Sequence, residues 1–198
     1  MSSPHRFLIQ MSGAPGSGKS TLAALLARTL NGVVIDHDLL RSFFLSTSIP
    51  FQESAKLSYD FQWVLALDLL KQERSVIIDS TCNFDQTLEQ GMKLAREFGV
   101  EYRYVECRVR DIELLDRRLQ ERVPQRSQRT GVSKPPIDAG GGSGKRDEDY
   151  CKLFEKWIEH PCRPEHDAII VDSTKSPEEC LEYVLKQIVT SSENHLDI

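Results

Sequence analysis

No apolar run in this chain of 198 residues approaches the roughly 20 residues needed to span a bilayer. The opening stretch, Met1 to Arg6, also lacks the long apolar segment of a signal peptide. A cytosolic location is the expectation. Cysteine is sparse and without paired spacing: Cys82, Cys107, Cys151, Cys162 and Cys180 are odd in number and scattered. That pattern fits a reducing compartment that keeps them as thiols. His160, Cys162 and His166 cluster, but a zinc site needs a fourth ligand at suitable spacing. The segment reads instead as a Pro-rich loop before a strand. Positive charge is also in deficit, with a formal net charge of −5. This argues against broad binding along nucleic acid. It still allows a local basic patch to grip one strand end.

What is present is an alternation of short apolar strands and longer helical stretches, on a length suited to one α/β domain over residues 1–198. Candidate strands are Arg6 to Met11, Val33 to Asp36, Ser75 to Asp79, Glu101 to Cys107 and Asp167 to Asp172. Helical segments run from Lys19 to Leu30, Gln52 to Gln72, Phe84 to Phe98, Asp111 to Arg122 and Asp147 to His160. In the second of these, Leu57, Phe61, Val64, Leu65 and Leu69 recur at helical spacing, which predicts the buried face. Ser176-Pro177-Glu178-Glu179 is a capping box with Pro at the first helical position. Such alternation predicts βαβ units, a mostly parallel sheet and helices on both faces. Ligands of such sheets sit at the carboxyl ends of the strands. Gly140-Gly141-Gly142-Ser143-Gly144 stands apart as a flexible run that resembles an engineered linker.

Four motifs carry chemistry. Gly13-Ala14-Pro15-Gly16-Ser17-Gly18-Lys19-Ser20 fits the P-loop pattern, with a strand before it and a helix after. Its glycines let backbone N–H groups converge on a phosphate, and the helix N-terminus adds partial positive charge. Lys19 is placed to reach the β- and γ-phosphates, Ser20 to ligate Mg²⁺ and Thr21 to touch the α-phosphate. Asp36-His37-Asp38-Leu39-Leu40-Arg41 follows the second strand. A kinase needs a carboxylate beside the acceptor hydroxyl, which makes Asp38 the candidate base. Arg41 would then hold an acceptor phosphate or the γ-phosphate. The competing reading has Asp38 as a helix cap and Arg41 on the surface. His37 reads as a loop residue. Val76-Ile77-Ile78-Asp79-Ser80-Thr81 is an apolar strand ending in Asp, so Asp79 is the candidate partner of Mg²⁺ through water. Lastly, Arg117, Arg118, Arg122, Arg126 and Arg129 fall within 13 residues beside one acid, Glu121. They read as a lid, spanning roughly 117–146, that would stabilise a transferring phosphoryl group. The alternative is a solvated basic face. Arg118 and Arg122, four apart, are expected on one helix face.

These elements, in this order, resemble the small P-loop kinases of the polynucleotide-kinase, zeta-toxin and chloramphenicol-phosphotransferase group. The resemblance rests on GAPGSGKS at 13–20, D-x-x-R at Asp38 to Arg41, VIIDST at 76–81 and R-x-x-x-R at Arg118 to Arg122. It implies a three-layer α/β/α P-loop NTPase fold with a five-stranded parallel sheet in the order 2-3-1-4-5 and an arginine-rich helical lid. It implies ATP and Mg²⁺ as cofactors, Asp38 as general base, and Arg118, Arg122 and Arg126 clamping the triphosphate. The stretch after the last strand, including Thr174, would lie near the adenine. The chain departs from the D-x-T-N pattern of polynucleotide kinases, because Asn83 sits one position late. The expected activity is transfer of the γ-phosphate to an alcohol. The acceptor is a 5′-hydroxyl nucleic-acid end, slightly favoured, or a small molecule. A nucleotide-dependent switch or binding module is the rival of another class.

Overall fold

The computed structural model describes residues 5–139 and 147–193. Five strands form one sheet: β1 (Phe7–Ser12), β2 (Gly32–Asp36), β3 (Ser75–Asp79), β4 (Glu101–Arg108) and β5 (Ala168–Asp172). Their order is β2-β3-β1-β4-β5, and every neighbouring pair is parallel. Strands covered on both faces read as continuous apolar runs rather than alternating ones. The central strands β1 and β3 are buried at every position.

Helices cover both faces. On one, α1 (Lys19–Thr29) and α7 (Pro177–Glu193) pack Leu22, Leu26 and Val184 against Ile9, Met11 and Ile77. On the other, α3 (Phe51–Lys71) and α4 (Asp85–Phe98) pack Ala66, Leu70 and Leu94 against Leu8, Val76 and Ile78. The P-loop NTPase architecture expected from the motifs is therefore the observed one. A third cluster, built on Leu115, Leu119 and Phe154, joins α5 (Ile112–Glu121) to α6 (Asp147–Glu159) beyond the sheet. The expected capping box forms: Glu179 N–H donates to Ser176 Oγ, and Ser176 N–H donates to Glu179 Oε2.

Two expectations are corrected. The apolar stripe of α3 faces inward only in part: Leu65 and Leu69 pack on the core, but Leu57, Phe61 and Val64 are exposed, while Ser54, Ser58, Gln62, Ala66 and Leu70 are buried. The cause is the neighbour. The first half of α3 packs on α2 (His37–Ser46), where Arg41 Nε donates to Ser54 Oγ and His37 pairs with Gln62. A polar face is what those partners require. Only the second half of α3 meets the apolar sheet. His37, read as a loop residue, opens α2 and is buried. The run Gly140 to Gly144 lies outside the described residues.

Register places the site. Asp36, the last residue of β2, stands opposite Asp79, the last residue of β3. The loops after β1, β2 and β3 therefore open on one edge of the sheet.

Candidate active site

The loop after β1 is shaped by its glycines. Gly13, Gly16 and Gly18 have φ of 130°, 86° and 92°, a region that L side chains disfavour. At Gly13 a Cβ would also stand 2.3 Å from the Cys107 carbonyl oxygen and 2.7 Å from Ser17 Oγ. Gly13→Ala is expected to destabilise the fold by roughly 2–4 kcal/mol through combined strain and overlap. Thermal or urea unfolding of the variant measures this. Gly18 opens α1 without any side-chain cap, so the helix presents its positive end and N–H groups to a ligand.

A cavity of about 940 Å³ lies over this loop and extends across the sheet edge. Pro15, Gly16, Gly18, Lys19, Ser20 and Thr21 line its floor. Gly13, Ala14 and Ser17 are buried beneath. The Lys19 ammonium donates to the Gly13 and Ala14 carbonyls at 3.0 and 3.1 Å. Burial lowers its pKa, while Asp79 and, more weakly, Asp38 oppose that shift. Those carbonyls hold the ammonium against the loop, at the mouth of the phosphate cradle.

Asp79 lines the same cavity, with the Ser20 hydroxyl near enough to favour its charged form. Burial pushes its pKa up to about 6, with Lys19 and Ser20 pulling it down. Between about 4 and 6 only the folded form holds this proton. The stability it contributes is therefore present at low pH and lost as pH rises through about 6. In cation-free buffer, Asp79→Asn should remove that dependence. Between pH 4 and 7, wild type should lose roughly 2–3 kcal/mol relative to the variant, read from urea midpoints. Among the described residues no group of three or more His, Cys, Asp or Glu side chains is arranged for a metal. A Ser20–Asp79 pair suits Mg²⁺, which takes one or two carboxylates and completes its shell with water and phosphate oxygens.

The D-x-x-R segment resolves into distinct roles. Asp36 caps α2, its Oδ1 accepting the Leu39 N–H at 3.1 Å. Asp38 is therefore not the cap, and its carboxylate enters the cavity. There its Oδ2 accepts Gln128 Nε2 at 3.0 Å, and the Ser127 hydroxyl is shared between its Oδ1 at 3.1 Å and its backbone carbonyl at 2.9 Å. Gln125 Nε2 likewise donates to Asp36 Oδ2 at 3.0 Å. A strap of three side chains thus closes over the ends of β2 and α2. Arg41 stacks on the Phe51 ring at 3.9 Å and donates to the Phe51 carbonyl at 3.1 Å. It lines the cavity rather than the surface.

The arginines divide. Arg118 lines the cavity and donates to the Ser173 carbonyl at 3.0 Å. Arg122 lines it too, but as the extended residue that ends α5, not on a shared helix face with Arg118. Arg129 lines it from beyond, its guanidinium 5.0 Å from the Tyr150 ring centre. Arg126 does not line it. It forms a two-pronged pair with Asp138 at 2.5 and 2.9 Å on the outside. Arg117 is exposed on α5. Thr174 bonds back to Asp172 and is exposed, while its neighbours Ser173 and Lys175 line the cavity. Gln125, Ser127, Gln128 and Tyr59 carry no motif of their own, and only the fold brings them to the site.

The AAA_33 family model, described as an AAA domain, matches residues 8–140. The chain belongs to this AAA domain family. Solved structures share its fold. A protein of Chloroflexus aurantiacus that carries only the general name of kinase superposes with a TM-score of 0.69 at 16% identity, covering 96% of this chain and 99% of its own. A gluconokinase from Sinorhizobium meliloti gives 0.61 at 16% identity, over 98% and 97%. The APS kinase CysC of Mycobacterium tuberculosis, in complex with AMPPNP and APS, gives 0.60 at 19% identity, over 93% and 98%. At these identities the likeness is one of fold: that of the P-loop kinases. No curated protein matches the chain.

Proposed function

We propose that this chain is an ATP-dependent kinase, a single domain with a lid, that transfers the γ-phosphate to the hydroxyl of a small molecule. One observation carries the reading. The Asp38 carboxylate, in the same cavity as Lys19 and Asp79, accepts a hydroxyl at hydrogen-bond distance. A carboxylate so placed can orient an acceptor hydroxyl and take its proton as the phosphoryl group transfers.

The other residues fall into supporting roles. The N-terminus of α1 and Lys19 hold the triphosphate. Ser20 and Asp79 hold Mg²⁺, which when bound neutralises charge developing on the phosphate oxygens. Arg118 and Arg122 face the triphosphate from the lid. The strap from Gln125 to Gln128 occupies Asp38, so an acceptor must displace Ser127 and Gln128 to reach it.

The motif resemblance to polynucleotide kinases keeps a 5′-hydroxyl strand end as the second reading. The charge beside Asp38 disfavours it. Bound phosphates call for an excess of Lys or Arg, and on this side of the cavity the charge of Arg41 is offset by the nearby Asp38 carboxylate. Gluconokinase and APS kinase, which share the fold, are named for small acceptors. Transfer of γ-labelled phosphate from ATP to added acceptors tests the proposal. Label should appear on a small hydroxyl compound. ATP consumed with no acceptor labelled would point to a switch, and label confined to an oligonucleotide end would reinstate the strand reading.

A further inference from the structure

The half of the cavity beyond Asp38 is walled by aromatic rings. Tyr59, on α3, is held by its hydroxyl, which donates to the Thr81 carbonyl at 3.3 Å. Its ring lies 4.2 Å from His37 and meets Phe84 edge to face at 5.8 Å, with an interplanar angle of 86°. Tyr59, Arg41 and Asp38 lie close enough to feel one another's charge. The aromatic wall is therefore continuous with the candidate base.

Phe84 is the informative member. It lines the cavity yet is 54% exposed. It sits just before α4 and gives that helix no side-chain cap. A large apolar ring left open inside a concave site gains when a ligand covers it. The opposite ring, Phe51, has one face taken by Arg41. Besides the charged Asp38 and Arg41, the polar groups beside these rings are neutral. Asn83 Nδ2 donates to Thr81 Oγ1 at 3.0 Å, which leaves its amide oxygen for a ligand donor, and Gln52 offers a second amide. A polyol would need a dense set of hydrogen-bond partners for its several hydroxyls, more than two amides supply. A polyanion would need an excess of cations, whereas the charge of Arg41 is offset by the nearby Asp38 carboxylate.

We propose that the acceptor is a molecule of low charge whose hydroxyl is carried on a flat aromatic or heteroaromatic body, with Tyr59 and Phe84 as the residues that recognise that body. The proposal rests on the kinase reading above. In the transfer itself, the acceptor oxygen bonds to the γ-phosphorus, the bond from that phosphorus to the β,γ-bridging oxygen breaks, ADP leaves and the acceptor proton passes to Asp38. Rings pair by offset stacking or edge-to-face contact, and Phe84 offers an open ring for either. Thr81 and Asn83 set which edge of the body faces the sheet.

The test uses full-length protein and γ-labelled ATP with four acceptors in parallel: uridine, 4-hydroxybenzyl alcohol, gluconate and a 5′-hydroxyl oligonucleotide. Label is expected on uridine or on the aryl alcohol. For the labelled acceptor, Phe84→Ala should raise KM by about tenfold or more, leave the KM for ATP unchanged, and be rescued by Phe84→Tyr. Label confined to gluconate or to the oligonucleotide overturns the proposal while the kinase reading survives. So does an acceptor KM indifferent to Phe84→Ala. ATP binding with no acceptor labelled by the wild type overturns both.

Discussion

Asp38→Asn is expected to lower phosphoryl transfer by about 10²–10⁴-fold, the range for losing a positioned general base, while ATP affinity stays within a few-fold. The substitution keeps shape and removes charge. Asp38 Oδ1 and Oδ2 each accept a donor from the strap. An asparagine can accept from one of them, but its NH₂ then faces a second donor. The strap contact should weaken, easing entry of the acceptor even as the chemistry slows. The signature is a fall in kcat with an unchanged or lower acceptor KM, a pattern that a merely structural residue does not produce. Asp36→Asn is the control. Asp36 also holds a strap residue, Gln125, but its other oxygen caps α2. It should cost less than about 1 kcal/mol of stability, because asparagine caps a helix about as well as aspartate and only the charge at the helix N-terminus is lost, and it should cost far less rate. Normal transfer by Asp38→Asn would sink the assignment and make Asp36 the next carboxylate to test.

The two acids show where sequence reading stops. Asp36 and Asp38, two apart, both fit the start of a helix on residue type. The backbone decides between them: Asp36 is extended, at φ −86° and ψ 108°, and accepts the Leu39 N–H. The P-loop was legible because its chemistry is local, with glycines, a lysine and a helix start in one stretch. Sheet order was legible only through the family resemblance, since no strand's own residues name its neighbour. The α3 stripe misled for a related reason. Periodicity assumes that the buried face meets an apolar partner, but half of α3 meets Arg41 and His37. The strap was invisible because Gln125, Ser127 and Gln128 meet their partners at the end of β2 and the start of α2 across 89 or 90 residues of chain. Nothing in a run of glutamine, serine and arginine announces so distant a contact.

Arg122→Ala should be the most damaging change in the lid, lowering kcat by about 10³-fold, at the lower end of what an arginine aimed at a transferring phosphoryl group supplies. Arg126→Ala should change kcat by less than about threefold, as expected for an exposed pair. Residue type cannot separate these two, but their partners do. Arg126 is neutralised by Asp138 outside the cavity. Arg122 donates Nη2 to the Arg129 carbonyl at 2.9 Å, which fixes its position without cancelling its charge. Its Nε is buried with no hydrogen-bond partner in the structure. Burial lowers its pKa, Asp38 opposes that shift, and its charge is felt by Lys19 across the cavity. A half-buried guanidinium with a spare donor, sharing one cavity with Lys19 and Asp38, is placed to stabilise negative charge as it moves from donor to acceptor. Steady-state kcat at saturating ATP and acceptor decides the matter. If Arg126→Ala proves the crippled variant and Arg122→Ala the silent one, the Arg126–Asp138 pair must open on substrate binding and the lid must present a different face to the phosphates.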